Sequence, residues 1–174
     1  MIDFKILKKY DTQKMYENYD QWPTISLESY EFDYQPYGYV DMDHIVFAGM
    51  GGSGALGDIF SSILSKSNIH VSVVKGYLLP KTVTENSLVI VTSISGNTIE
   101  TLTVLNEAKK RNCKIVAFSS GGKMEEYCKK NNIENRKIPQ IHSPRASFTN
   151  KLLDKSIILN VICFRHILNI VFSC

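Results

Sequence analysis

A chain of 174 residues and 19.7 kDa can bury one hydrophobic core and is too short for two full catalytic domains. With 44% hydrophobic and 21% charged residues it has the balance of a soluble globular protein, which excludes disordered, collagen-like and disulfide-scaffold chains. Twenty basic against 17 acidic residues leave a charge of +3, and no Lys/Arg run exceeds Lys109-Lys110-Arg111, so charge makes no case for nucleic acid.

The first ten residues carry charges throughout and lack an apolar core, so they are not a secretory signal. Residues 1–40 hold ten of the 18 aromatic side chains, including the single tryptophan, Trp22, with Pro23, Pro36 and Gly38. A short helix is expected over residues 11–19, followed by a Pro- and Tyr-rich arm whose aromatics anchor it to a core. The pattern turns periodic at His44. Short apolar or β-branched runs occupy residues 44–48, 70–74, 88–92 and 114–119, with a shorter fifth run at 135–139. Helical spacing fills 56–64, 98 to about 112, and 123–130. Short buried strands alternating with helices predict an α/β domain built of βαβ units, with a parallel sheet and helices on both faces. Residues 156–172 are apolar but interrupted by Asn160, Arg165, His166 and Asn169, which reads as a packed helix and not a membrane span. Three regions are expected: an arm over 1–42, the α/β domain over 43–151, and an apolar helix over 152–174. Cys113, Cys128, Cys163 and Cys174 share no metal or redox spacing; Cys113 and Cys128 read as free thiols of a cytosolic protein.

In a parallel sheet, ligands bind beyond the carboxyl ends of the strands, where the helices begin. Three such ends are rich in Gly, Ser and Thr. The first runs from Gly49 to Asp58 and places five glycines within nine positions, more than a turn needs. Glycines let the backbone approach an anion, and the following helix offers free N–H groups and a positive dipole end; Ser53 adds a hydroxyl. The same segment satisfies G-x-G-x-x-G through Gly49, Gly51 and Gly54. A dinucleotide site also needs an acidic residue after the second strand, where this chain has Val73-Val74-Lys75-Gly76. Lys75 suits a 2′-phosphate, so an NADP-binding domain stands as an alternative. The second loop, Ser93-Ile94-Ser95-Gly96-Asn97-Thr98, gathers hydroxyls around a glycine at another helix start. Neutral donors of this kind bind a phosphate monoester without Lys or Arg. Thr98 is also expected to cap that helix, with Thr101 three positions on. The third loop, Ser119-Ser120-Gly121-Gly122, either closes the pocket or is a plain turn.

These motifs resemble a known family. Gly-Met-Gly-Gly-Ser-Gly at 49–54 with Gly57-Asp58 is similar to the first phosphate-side loop of sugar isomerase (SIS) domains, and Ser-Ile-Ser-Gly-Asn-Thr at 93–98 with Glu100-Thr101 to their main phosphosugar loop. With Ser143-Pro144-Arg145-Ala146-Ser147-Phe148 and the leading Asp11, Met15-Tyr16 and Trp22-Pro23, the chain resembles the amino-terminal half of bifunctional phosphoglucose/phosphomannose isomerases of archaea and bacteria. The resemblance implies a flavodoxin-like, three-layer α/β/α sandwich with a five-stranded parallel sheet. It implies that Ser53, Ser93, Ser95 and Thr98 hold the phosphate of a hexose 6-phosphate, with Gly51, Gly96 and Asn97 completing the loops and Gly52 facing the sugar. Arg145 would lie near C1 and C2 and stabilise an enediolate, a task suited to a permanently charged, forked side chain.

Aldose–ketose isomerisation moves a proton between C1 and C2 and needs a base, and an acid to open the ring. In the resembling family a glutamate and a histidine from a second SIS domain do this, the histidine coming from a partner subunit. That second half is absent from this sequence, which stops at Cys174, so a shortened gene product, inactive unless a partner supplies the acid and base, is expected. Of the local histidines, His142 is the candidate nearest Arg145; His44 and His70 open strands at the far end, and His166 lies in the apolar tail. Glu100 reads as a helix-end stabiliser. The expected protein is a cytoplasmic homodimer, joined through residues 152–172, that binds hexose 6-phosphate without metal or cofactor. It acts either as an isomerase or as a non-catalytic phosphosugar-binding module.

Overall fold

The computed structural model describes residues 3–24, 27 and 42–139. Five parallel strands form one sheet: β1 (His44–Gly49), β2 (His70–Val74), β3 (Ser87–Thr92), β4 (Lys114–Ser119) and β5 (Glu134–Lys137), in the order β2-β1-β3-β4-β5. The chain enters at β1, steps outward to β2, and then returns to the other side of β1 to build β3, β4 and β5. The direction of winding therefore reverses between β1 and β3, which opens a crevice at their carboxyl ends. β1 and β3 are buried along their whole length, while the edge strands expose Glu134, Lys137 and His70. Charged or polar residues on an edge discourage pairing with another chain.

Side chains alternate between two cores, as period-two geometry requires. Ile45, Phe47, Leu88, Ile90, Val116 and Phe118 face helix α3 (Gly52–Leu64), which contributes Leu56, Phe60 and Leu64. Val46, Ala48, Val89, Val91, Ile115 and Ala117 face the other way, toward α4 (Ile99–Lys110) and α5 (Gly122–Asn131). The sandwich thus has three layers, α/β/α, as the resemblance implies. Helix α3 lies close on the sheet because residue 57 is glycine: a Cβ there would stand 2.8 Å from Val73 and 2.9 Å from Phe47. Among the described residues no helix is long and apolar enough to cross a membrane.

The amino-terminal arm departs from expectation. The helix expected over 11–19 starts later, as α2 (Met15–Asp20), and is preceded by another, α1 (Phe4–Tyr10), with further helical residues at 22–24. Asp3 starts α1 by accepting the Ile6 N–H at 2.8 Å, and Asp11 accepts the Tyr16 N–H at 2.9 Å. Neither helix buries a residue. Their aromatics meet within the arm instead, Phe4 edge-on to Tyr16 at 5.8 Å and Tyr19 to Trp22 at 4.8 Å. The Pro- and Tyr-rich remainder of the arm, the segment with His142 and Arg145, and the apolar tail expected over 152–174 lie outside the described residues.

Candidate functional site

Loop 1 (residues 49–54) leaves the tip of β1 and loop 2 (93–98) leaves the tip of β3. The two strands run side by side to their ends, Ala48 against Val91 and Gly49 against Thr92. Both loops therefore rise from the crevice at the reversal of the sheet, and each leads directly into a helix.

Loop 1 is shaped by close backbone contacts. Gly51 takes a left-handed conformation (φ 54°) at the N-cap of α3, and a Cβ on Gly54 would stand 2.6 Å from the Gly49 carbonyl oxygen. Around Gly51 and Gly52 the space is open among the described residues, with none of their atoms within 4 Å of a Cβ built there. Ser53 is buried in the first turn of α3. Among the described residues no side chain caps this helix, and its first turn carries no carboxylate.

Loop 2 carries the hydroxyls. Ser93, only 3% exposed, pairs its Oγ with Thr98 Oγ1 at 2.8 Å. Two paired hydroxyls share one proton between them and leave the second for an outside acceptor. Ser95 is exposed, and its Oγ accepts the Asn97 N–H at 3.2 Å. The expected capping role of Thr98 is not what the structure shows. Thr98 occupies the N-cap position of α4, but its side chain makes no capping bond because the hydroxyl is engaged with Ser93. Thr101 Oγ1 turns back to the Thr98 carbonyl oxygen at 2.8 Å. Helix α4 thus also starts without a side-chain cap, beside a hydroxyl pair, and Glu100 stands in its first turn.

The third loop is a brace. Ser120 donates to the Ile94 carbonyl from both its N–H (2.9 Å) and its Oγ (2.5 Å), and the Ser93 N–H donates to the Phe118 carbonyl at 2.9 Å. Asn97, expected among the ligand-binding residues, directs its carboxamide to the first turn of α5 and to Ser95: Oδ1 accepts the Lys123 N–H at 3.2 Å, and Nδ2 donates to the Ser95 carbonyl at 3.0 Å. Sequence reasoning does not single out Thr92. It is fully buried at the tip of β3, and its Oγ1 has no hydrogen-bond partner among the described residues.

Lys75, the candidate contact for a 2′-phosphate, holds Asp58 at 2.5 Å. His44 and His70 stand at the opposite end of the sheet, paired in register with rings 4.3 Å apart. Burial, and secondly the neighbouring His70, hold His44 below the usual imidazole value.

A three-layer sandwich with two helix starts and a hydroxyl cluster at its switch point gathers neutral donors of the kind that suit an anion. The comparisons agree with that architecture: the family model for the SIS domain matches residues 39–153. The chain belongs to the SIS domain family. Among curated relatives it is 40% identical over 108 residues to a bifunctional phosphoglucose/phosphomannose isomerase of Caldicellulosiruptor bescii, covering 62% of this chain and 32% of the relative. It is 36% identical over 149 residues to the protein of the same name from Pyrobaculum calidifontis, covering 79% and 46%. The chain therefore spans about a third to just under half the length of these relatives. Among solved structures, tagatose-6-phosphate ketose/aldose isomerase from Escherichia coli superposes with a TM-score of 0.60 at 15% identity, covering 83% of this chain and 46% of that one. A protein of E. coli CFT073, solved in complex with a phosphosugar, gives 0.63 at 18% identity, covering 90% and 94%. At these identities the likeness is one of fold.

Proposed function

We propose that the SIS domain of this chain binds a hexose 6-phosphate, its phosphate held by loops 1 and 2, and forms part of an aldose–ketose isomerase site of the phosphoglucose/phosphomannose type. The observation that carries this reading is the Ser93–Thr98 hydroxyl pair between two uncapped helix starts. A phosphate monoester presents several acceptor oxygens and negative charge. It accepts from Ser53, Ser95 and the free hydroxyl proton of the pair, and the helix dipoles favour its charge. Gly51 and Gly52 leave room for the sugar, and Gly96 lets loop 2 pack closely on the third loop. The names of the curated relatives, and the sugar phosphates associated with two structural neighbours, support this ligand class.

In isomerisation a base takes the proton from C2 of the open-chain aldose, the electron pair moves to form an enediolate, and a proton is returned at C1. Arg145 is proposed to stabilise the enediolate oxygens, with His142 as the nearby proton carrier; both lie outside the described residues. The remaining acid and base are assigned to a second SIS unit outside this sequence, and the chain itself is proposed to form a cytoplasmic homodimer. A second reading, a binding module that does not catalyse, is favoured by what the described site gathers: donors for an anion, with His44 and His70 far from them. The NADP reading loses support because Asp58 already neutralises Lys75.

The deciding experiment incubates the purified chain with glucose 6-phosphate, fructose 6-phosphate or mannose 6-phosphate and follows interconversion, alongside titration with each sugar phosphate and with NADP. Interconversion supports the isomerase. Binding without turnover supports the module. A response to NADP and none to sugar phosphates removes both.

A further inference from the structure

We propose that Asn97 is a positioning residue: it fixes the phosphate loop by serving as the remote cap of helix α5. This rests on the phosphosugar reading of loop 2 and adds a role that the ligand contacts do not include. Helix α5 begins at a glycine cap, Gly121, which has no side chain to satisfy the first N–H groups. In an ordinary helix the N-cap side chain accepts from the second or third residue of the helix. Here those two donors are Lys123 and Met124, and both are taken by loop 2. The Lys123 N–H goes to Asn97 Oδ1 at 3.2 Å and the Met124 N–H to the Gly96 carbonyl at 2.9 Å.

The carboxamide works in both directions. While Oδ1 accepts from α5, Nδ2 donates to the Ser95 carbonyl at 3.0 Å, and the Asn97 main-chain N–H donates to Ser95 Oγ at 3.2 Å. The two neighbours fix the orientation of the amide, because a backbone N–H requires the oxygen and a carbonyl requires the NH₂. One side chain therefore ties the hydroxyl-bearing residue 95 to a helix that starts at Gly122, far along the chain. The fit is close: a Cβ on Gly122 would stand 2.5 Å from the Ser95 oxygen and 2.9 Å from Asn97 Oδ1. The consequence is a division of labour. The amino terminus of α5 is spent on holding the loop in shape before any ligand arrives, and that of α4 is left for the ligand. Preformed donors cost no ordering entropy on binding, so affinity depends on the brace.

The test uses the full chain with Asn97→Ala and Asn97→Asp. Two quantities are measured: amide hydrogen exchange at Lys123 without ligand, and the affinity for glucose 6-phosphate by calorimetry. In Asn97→Ala, exchange at Lys123 is expected to rise about tenfold and affinity to fall about tenfold, the scale of one or two lost hydrogen bonds. Asn97→Asp retains an oxygen for the Lys123 N–H, and a carboxylate suits a helix start. Protection at Lys123 is therefore expected to persist there while affinity still falls, because the donor to the Ser95 carbonyl is lost and a negative charge is added to the loop proposed to hold the phosphate. Unchanged exchange in Asn97→Ala, or equal loss of protection in both variants, overturns the proposal. A fall in affinity without a change in ligand-free exchange also overturns it and makes Asn97 a direct ligand contact. If the unaltered chain binds no glucose 6-phosphate, the phosphosugar reading fails, while the exchange comparison still decides the brace.

Discussion

Three glycines of the cradle make different demands, and replacing each by alanine should separate them. Gly52 has φ outside the left-handed region and open space around a built Cβ, so Gly52→Ala is expected to change stability by less than about 0.5 kcal/mol. Gly51 also has open space but holds φ 54°, so Gly51→Ala should cost about 1 kcal/mol through conformation alone. Gly96 has φ 65°, and its Cβ would stand well inside contact distance of the Gly121 carbonyl oxygen. The Cβ is fixed by the backbone that carries it and the oxygen is itself backbone, so neither swings aside. Relieving the clash means parting loop 2 from the β4–α5 turn, with loss of the Met124-to-Gly96 and Ser120-to-Ile94 bonds. At about 1 kcal/mol for each bond and about 1–2 kcal/mol for the left-handed alanine, Gly96→Ala should cost roughly 3–4 kcal/mol. That is a large part of the roughly 5–15 kcal/mol of an ordinary domain. Urea unfolding followed by far-ultraviolet circular dichroism measures all three. A Gly96→Ala chain within about 1 kcal/mol of Gly52→Ala would refute the claim that the two loops are pressed together.

Thr92→Val removes a buried hydroxyl that lacks a partner and keeps the shape, so unfolding free energy should rise by up to about 1 kcal/mol; a loss of similar size in urea titration would show that the hydroxyl is satisfied. His44 is held neutral by burial and by His70, with Ser72 Oγ 2.9 Å from its Nε2 and Asp43 acting in the opposite sense. Because the folded state binds its proton less readily than the unfolded chain, this contribution is complete above the ordinary value of 6.5 and is lost as pH falls through the lowered folded value. His44→Gln should flatten the acid limb of a stability–pH curve, and an unchanged limb would count against it. Burial pushes the Cys128 thiol up to about 11, and burial also raises Cys113. Peptide-resolved alkylation at mildly alkaline pH should leave Cys128 unmodified in the folded chain and modify it in denaturant; rapid native labelling would contradict the packing beneath α5.

The strands were legible because central parallel strands are buried on both faces, so β1, β3 and β4 read as unbroken apolar runs. The helix starts were less so. Helix α3 begins at Gly52, ahead of the apolar spacing that starts at Leu56, because the glycines of its first turn have little helix propensity to read. Helix α1 escaped because its FKILKKY sequence buries nothing and so shows no core stripe, although Asp3 is a readable cap. The two glycine- and hydroxyl-rich loops at the tips of β1 and β3 were legible from composition. Their internal wiring was not: whether Thr98 caps α4 or pairs with Ser93 depends on how loop 2 folds back. Likewise the bond from Lys123 to Asn97 joins residues 26 apart, beyond any local signal.

The central claim is that hydroxyls and helix starts at the switch point recognise the phosphate of a phosphorylated hexose. Isothermal titration of the full chain with glucose 6-phosphate, glucose and inorganic phosphate tests it, with Thr98→Val as the altered cradle. The expected result is saturable heat with glucose 6-phosphate, a weaker response to phosphate, none to glucose, and affinity reduced about tenfold or more in Thr98→Val. Equal responses to glucose and glucose 6-phosphate, or an unaltered affinity in Thr98→Val, would contradict it.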